Sequence, residues 1–177
     1  FEVFSQSAVC NWKYRKRITF NPTQVAGPVD LANYPALINI TADNNLRTVA
    51  NGGHVDNANG FDIMFTADDG VTQLNHYLEK YTATTGETVI WVRIPSLSTT
   101  YNTYIYMYYG NAAIATNQSS TGTWNANYRG VYFLHADYND KTASGNNGAN
   151  TGLTLGTSTV ANGAVTNNTA DRAVIGT

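Results

Sequence analysis

Three histidines, His54, His76 and His135, are the residues that metal or hydrolytic chemistry would draw on first. None stands in an H-E-x-x-H spacing or a comparable zinc motif, and there is no G-x-S-x-G nucleophile elbow. His54 follows "NGG" in a turn-rich stretch, His76 lies in a strand pattern between Asn75 and Tyr77, and His135 heads "HADYND". Glycoside hydrolysis would need two carboxylates about 5–10 Å apart. Glu79 and Glu87 flank a predicted hairpin and come nearest to that, but Glu79 beside Lys80 reads as a solvated strand edge. The expectation is therefore a protein that is not an enzyme, with no catalytic residue.

Calcium asks for oxygen ligands gathered in a turn. "TADDG" offers Asp68 and Asp69, "HVDNANG" offers Asp56, Asn57 and Asn59, and "DYNDKTASGNN" offers Asp137, Asn139 and Asp140 with Lys141 among them. None has EF-hand spacing, and Asp or Asn before Gly makes turns in its own right. Calcium is the one cofactor suggested, with Asp68 and Asp69, or Asp137 and Asp140, as its candidate ligands. Sugar stacking asks instead for aromatic faces exposed on loops. Trp124, Tyr128 and Tyr138 lie in loop-like sequence and are the ligand-binding candidates. The run "WKYRKR" puts Lys13, Arg15 and Arg17 on one face of a strand and Trp12, Tyr14 and Lys16 on the other. Such interleaving serves nucleic acid or an anionic glycan, or it protects an edge strand from unwanted pairing. With 12% charged residues and a net charge of -2, the edge reading is favoured and nucleic acid is not expected as a partner.

The elements that must position these groups are strands. Helical periodicity is almost absent, and short alternating runs are broken by Asn, Gly, Pro and Asp. "YRKRITF", "ALINI", "FDIMF", "LNHYLEKY" and "TVIWVRI" each read as a strand. In "YNTYIYMYYGN" one face carries Ile105, Met107 and Tyr109 and the other Tyr104, Tyr106 and Tyr108, which predicts a strand buried on both faces. The predicted core comprises Ile18, Phe20, Leu37, Ile63, Phe65, Trp91, Val92, Ile105 and Met107. The fold expected is an all-β antiparallel sandwich, jelly-roll-like, followed by the beginning of a second β-sandwich. Residues 1–11 form an N-terminal segment and candidate signal remnant, 12–111 the first sandwich, 112–129 a linker or long loop, and 130–177 an incomplete second domain, too poor in bulky apolar residues to close a core alone. The single cysteine, Cys10, allows no intrachain disulfide. No apolar run approaches a membrane span, so direct membrane insertion is not expected.

"WKYRKRITF", "NGFDIMFTADDG", "VIWVRIPSLS" and "YIYMYYGN" follow one another over Trp12 to Asn111. Together they resemble a bacterial and archaeal family of exported domains of unknown function. Its blocks read W-x-Y-R-[KR]-x-I, D-I-x-F-T-x-x-D-G, W-V-[KR]-[IV]-P and Y-M-Y-Y-G-N. The chain departs from it at Phe61, where the family often places an acidic residue before the Asp of the second block. "TWNANYRGVYFLHADYNDKTASGNNG" is similar to the lead-in of concanavalin-A-like, laminin-G-type sandwiches. The resemblance implies a non-catalytic module at the N-terminal end of a large, multi-domain exported cell-surface protein. That protein would be an adhesin, some related ones belonging to gliding bacteria. Its partners would be a glycan or another surface protein, with downstream modules on the same polypeptide. The alternative is a carbohydrate-binding module attached to a secreted glycan-active enzyme.

Overall fold

The computed structural model describes residues 9–134, 137–152, 154–155, 164–165 and 172–175. His135 and most of the candidate signal remnant lie outside them. The chain divides into two compact units, Phe1–Ser120 and Thr121–Thr177.

The first unit is an antiparallel sandwich. One sheet has the order β1 (Tyr14–Phe20), β7 (Thr103–Tyr109), β3 (Ile63–Ala67), β4 (Gln73–Leu74). The other has the order β2 (Leu31–Ile40), β6 (Glu87–Leu97), β5 (His76–Thr82). Alternation aims Ile63, Phe65, Ile105, Met107 and Tyr109 of the first sheet, and Ala36, Ile38, Ile90, Val92 and Ile94 of the second, into one shared core. Ile18 and Phe20 pack against it half-buried, as suits the edge strand β1. Pro35 sits within β2, also an edge strand, where the N–H that proline lacks is not needed for the ladder.

The structure corrects three details of the predicted packing. Leu37 is not a core residue: Ala36 and Ile38 point inward, so Leu37 lies on the outer face opposite Trp91. β6 is central and Val92 is fully buried, but Trp91 on the opposite face is only half-buried. The Tyr104–Tyr109 strand is likewise central, yet its outer face is not fully covered. Tyr108 is buried, whereas Tyr104 and Tyr106 are half-buried. A further departure comes from a bulge in β5. The register shifts between Leu78 and Lys80, which turns Tyr81 inward and Lys80 outward.

Buried polar groups close the loops. The Asp62 carboxylate is fully buried and accepts the backbone N–H groups of Asp56 (2.7 Å), Asn57 (2.9 Å) and Asn111 (3.2 Å). It therefore ties the start of "FDIMF" to the end of "YMYYGN". Gly60 stands at φ +71, and a Cβ there would meet the Tyr81 ring at 2.6 Å. Only glycine lets that ring close over the turn. The Tyr81 hydroxyl donates to the Leu46 carbonyl at 2.7 Å.

In the second unit, β8 (Gly148–Thr151) pairs with β11 (Arg172–Ile175), and β9 (Thr154–Leu155) pairs with β10 (Ala164–Val165). Both pairings are antiparallel, so the inner pair nests within the outer one.

Candidate ligand-binding face

β1 runs antiparallel to β7 with Arg15 opposite Tyr108, Arg17 opposite Tyr106 and Thr19 opposite Tyr104. Equal parity places both arginines and all three tyrosines on the outer face of the sheet. Each guanidinium leans one pair along. Arg15 lies 4.7 Å from the centroid of the Tyr106 ring and Arg17 4.8 Å from that of Tyr104. Both arginines are exposed. The Tyr108 hydroxyl beside Arg15 raises the guanidinium pKa above its ordinary value, and that hydroxyl donates to the Gly70 carbonyl at 3.2 Å. The result is a two-rung cation–π ladder anchored at one end by a hydrogen-bonded tyrosine.

Tyr104 also borders a cavity of about 350 Å³ between the ends of the two sheets, lined by Asp68, Pro95, Ser96, Asn102 and Tyr104 over an apolar floor that includes Ile94 and Ile105. The Asn102 amide donates to the Tyr104 hydroxyl at 3.4 Å. This cavity joins polar hydrogen-bonding groups to an apolar base, the general make-up of a small-ligand site.

The expected sites fare differently. Asp68 lines the cavity, but Asp69 organises its own turn. It accepts from the N–H groups of Val71 (2.9 Å) and Thr72 (2.8 Å) and from the Thr72 hydroxyl, bonds that hold its pKa below the usual value. Asp137 faces Lys141 at 2.6 Å and Asn139. Asp140 is buried and accepts from Val131, Thr142 and Asn146. Burial alone would raise the Asp140 pKa, and those hydrogen bonds outweigh it and lower it. Among the described residues no three His, Cys, Asp or Glu side chains gather as a metal site would require. Three of the four proposed calcium ligands, Asp69, Asp137 and Asp140, are thus engaged by turn hydrogen bonds or an ion pair, and Asp68 lines the cavity.

Trp124 was expected to offer an open face. Instead it is only 5% exposed, tilted against Tyr128 at 5.7 Å and edge-on to Phe133 at 6.3 Å. An apolar indole in a loop still seeks cover when neighbouring aromatics can provide it. Tyr128 and Tyr138 are both half-buried. Among the described residues of the first unit, the exposed loop aromatic is Tyr101, at 76%.

Glu79 is no solvated edge. It is buried, sits at the β5 bulge and accepts the Trp91 indole N–H at 2.8 Å. Glu87 is held by Lys80 at 2.8 Å and by Thr82 at 3.0 Å. These two carboxylates serve separate partners. His54 stacks on Tyr14 with ring centroids 4.2 Å apart. His76 is buried in the core, 5.4 Å from the Phe65 ring.

The edge-strand reading of "WKYRKR" agrees with the position of β1. Its pairing with the tyrosine stripe was not foreseen. The signal was present as R-x-R and Y-x-Y-x-Y, two runs of matching period, but their opposition depends on the β1–β7 register.

Over residues 59–148, half its length, the chain matches the model of a family described as "Domain of unknown function (DUF2341)", and it belongs to that family. The match takes in the second, third and fourth sequence blocks and begins after "WKYRKRITF". Neither a curated protein nor a solved structure matches the chain.

Proposed function

We propose that this family member is a non-catalytic module of a large exported cell-surface protein of the adhesin type, and that it meets its partner through the outer face of the β1–β7–β3–β4 sheet. The observation that carries this reading is how the chemistry-bearing residues are used. Asp62, Asp69, Glu87 and Asp140 hold turns and strands, while the exposed functional groups form a flat ladder of arginine on tyrosine. Such a face is suited to adhesion rather than turnover, since it offers stacked cations and no acid–base pair. The low charge content and the likeness of the later residues to the start of a concanavalin-A-like sandwich support a multi-domain, extracellular setting, gliding-motility surface proteins included. A second reading, a carbohydrate-binding module on a secreted glycan-active enzyme, is favoured by the cavity that borders Tyr104.

The test is surface labelling. An antibody raised against this chain should stain intact cells of the source organism, and brief protease treatment of whole cells should remove the stain. Staining only after lysis would overturn the surface assignment. Hydrolysis of a polysaccharide by the purified chain would overturn the non-catalytic one.

A further inference from the structure

The unusual feature of the outer sheet face is what its arginines lack. Each of the four lysines makes an ion pair: Lys13 with Asp56, Lys16 with Asp43, Lys80 with Glu87 and Lys141 with Asp137. Arg15 and Arg17 are exposed, and among the described residues neither has a carboxylate partner. A tyrosine ring lies under each instead.

A ring lying under a guanidinium attracts its charge and leaves N–H donors at its edge for other partners. That edge matches the two oxygens of a carboxylate or sulfate. The ring also removes much of the side chain's rotational freedom, so less entropy is lost when an oxyanion binds. The arginines are two residues apart on one strand, which sets their backbone anchors roughly 7 Å apart. The ladder is therefore a pair of preoriented forks on a flat surface, spaced for charges that recur along an extended chain.

We infer that the Arg15–Tyr106 and Arg17–Tyr104 rungs bind an anionic polysaccharide, through carboxylate or sulfate groups on successive residues of the glycan. This rests on the surface-module reading and names its ligand class. Single-stranded nucleic acid fits less well. It needs open aromatic faces for its bases and a sustained positive groove, whereas here both ring faces lie under guanidinium groups and the net charge is -2. A neutral glycan would need the same open faces.

The experiment is calorimetric titration of the full chain with polygalacturonate, dextran sulfate, neutral dextran and oligo(dT). At least one of the two charged polysaccharides should bind, and their ranking separates carboxylate from sulfate. Dextran should not bind. The Arg15→Ala/Arg17→Ala variant should bind at least tenfold more weakly, and Arg15→Lys/Arg17→Lys should fail to restore affinity because an ammonium has no fork. Should the double alanine variant not fold, Arg17→Ala alone makes the comparison, with a loss of at least threefold. The inference is overturned by no binding to either charged polysaccharide, by unchanged affinity in the alanine variant, by full affinity in the lysine variant, or by tighter binding of oligo(dT). Surface labelling would stand in each of those cases, so failure of the ligand and failure of the module reading are distinguishable.

Discussion

His76 makes the first unit sensitive to mild acid. It is 2% exposed, points into the core from β5, and has no hydrogen-bond partner at Nδ1 among the described residues. Burial disfavours the charged ring and pushes its pKa down from 6.5 to about 4, against a weaker opposing interaction with the Leu74 backbone. In the unfolded chain the ring takes its proton near 6.5. Between those values the unfolded state binds more protons, so stability falls as the pH falls. The contribution is fully present above pH 6.5 and is lost by about pH 4. A shift of that size corresponds to about 3 kcal/mol, at 1.36 kcal/mol per pKa unit. This is a large part of the 5–15 kcal/mol or so that stabilises a typical domain.

The assay is urea unfolding of the full chain between pH 7.5 and 4, followed through the Val92 methyl resonances, for wild type and His76→Phe. Wild type should lose about 3 kcal/mol more than the variant over this range. The carboxylates of Asp43, Asp69, Glu87 and Asp140 have lowered pKa values, so their stabilising contributions are present above the ordinary carboxylate range and fade only in stronger acid. Equal pH slopes for the two proteins, or a His76 ring that titrates near 6.5 in the folded protein, would refute the reasoning.

Gly60→Ala should destabilise the first unit by at least 2 kcal/mol in denaturant titration, because the left-handed backbone costs about 1–2 kcal/mol before the clash with Tyr81 is added. Asp62→Ala should be more severe. It strands three backbone N–H groups at about 1–3 kcal/mol each, so a loss of cooperative unfolding by circular dichroism is expected, and wild-type stability would remove Asp62 from its organising role. Trp124→Ala should cost about 3–5 kcal/mol, read from protease resistance of residues 121–177, as for other buried tryptophans. A variant that is unchanged in protease resistance would show that Trp124 is not packed in solution.

Strand alternation alone identified the all-β sandwich and the buried Ile105–Met107 face. A period of two sorts side chains between faces before any partner is known. The interleaved basic and aromatic residues of "WKYRKR", in a chain with few charges elsewhere, marked β1 as an edge, which the sheet order matches. Which residues stand opposite one another is not encoded locally. Arg15 and Arg17 meet Tyr106 and Tyr104 only because β1 and β7, some ninety residues apart in the chain, pair in one register. Asp62 becomes the hub of three N–H groups only when the strand ends converge, and the β5 bulge reverses the facing of Lys80 and Tyr81 against their sequence parity. Trp124 is a similar case, since whether a loop aromatic is open or covered depends on Tyr128 and Phe133 folding back to meet it. Local pattern determined which residues seek burial, and tertiary structure decided which of them found it and which charges were left facing water.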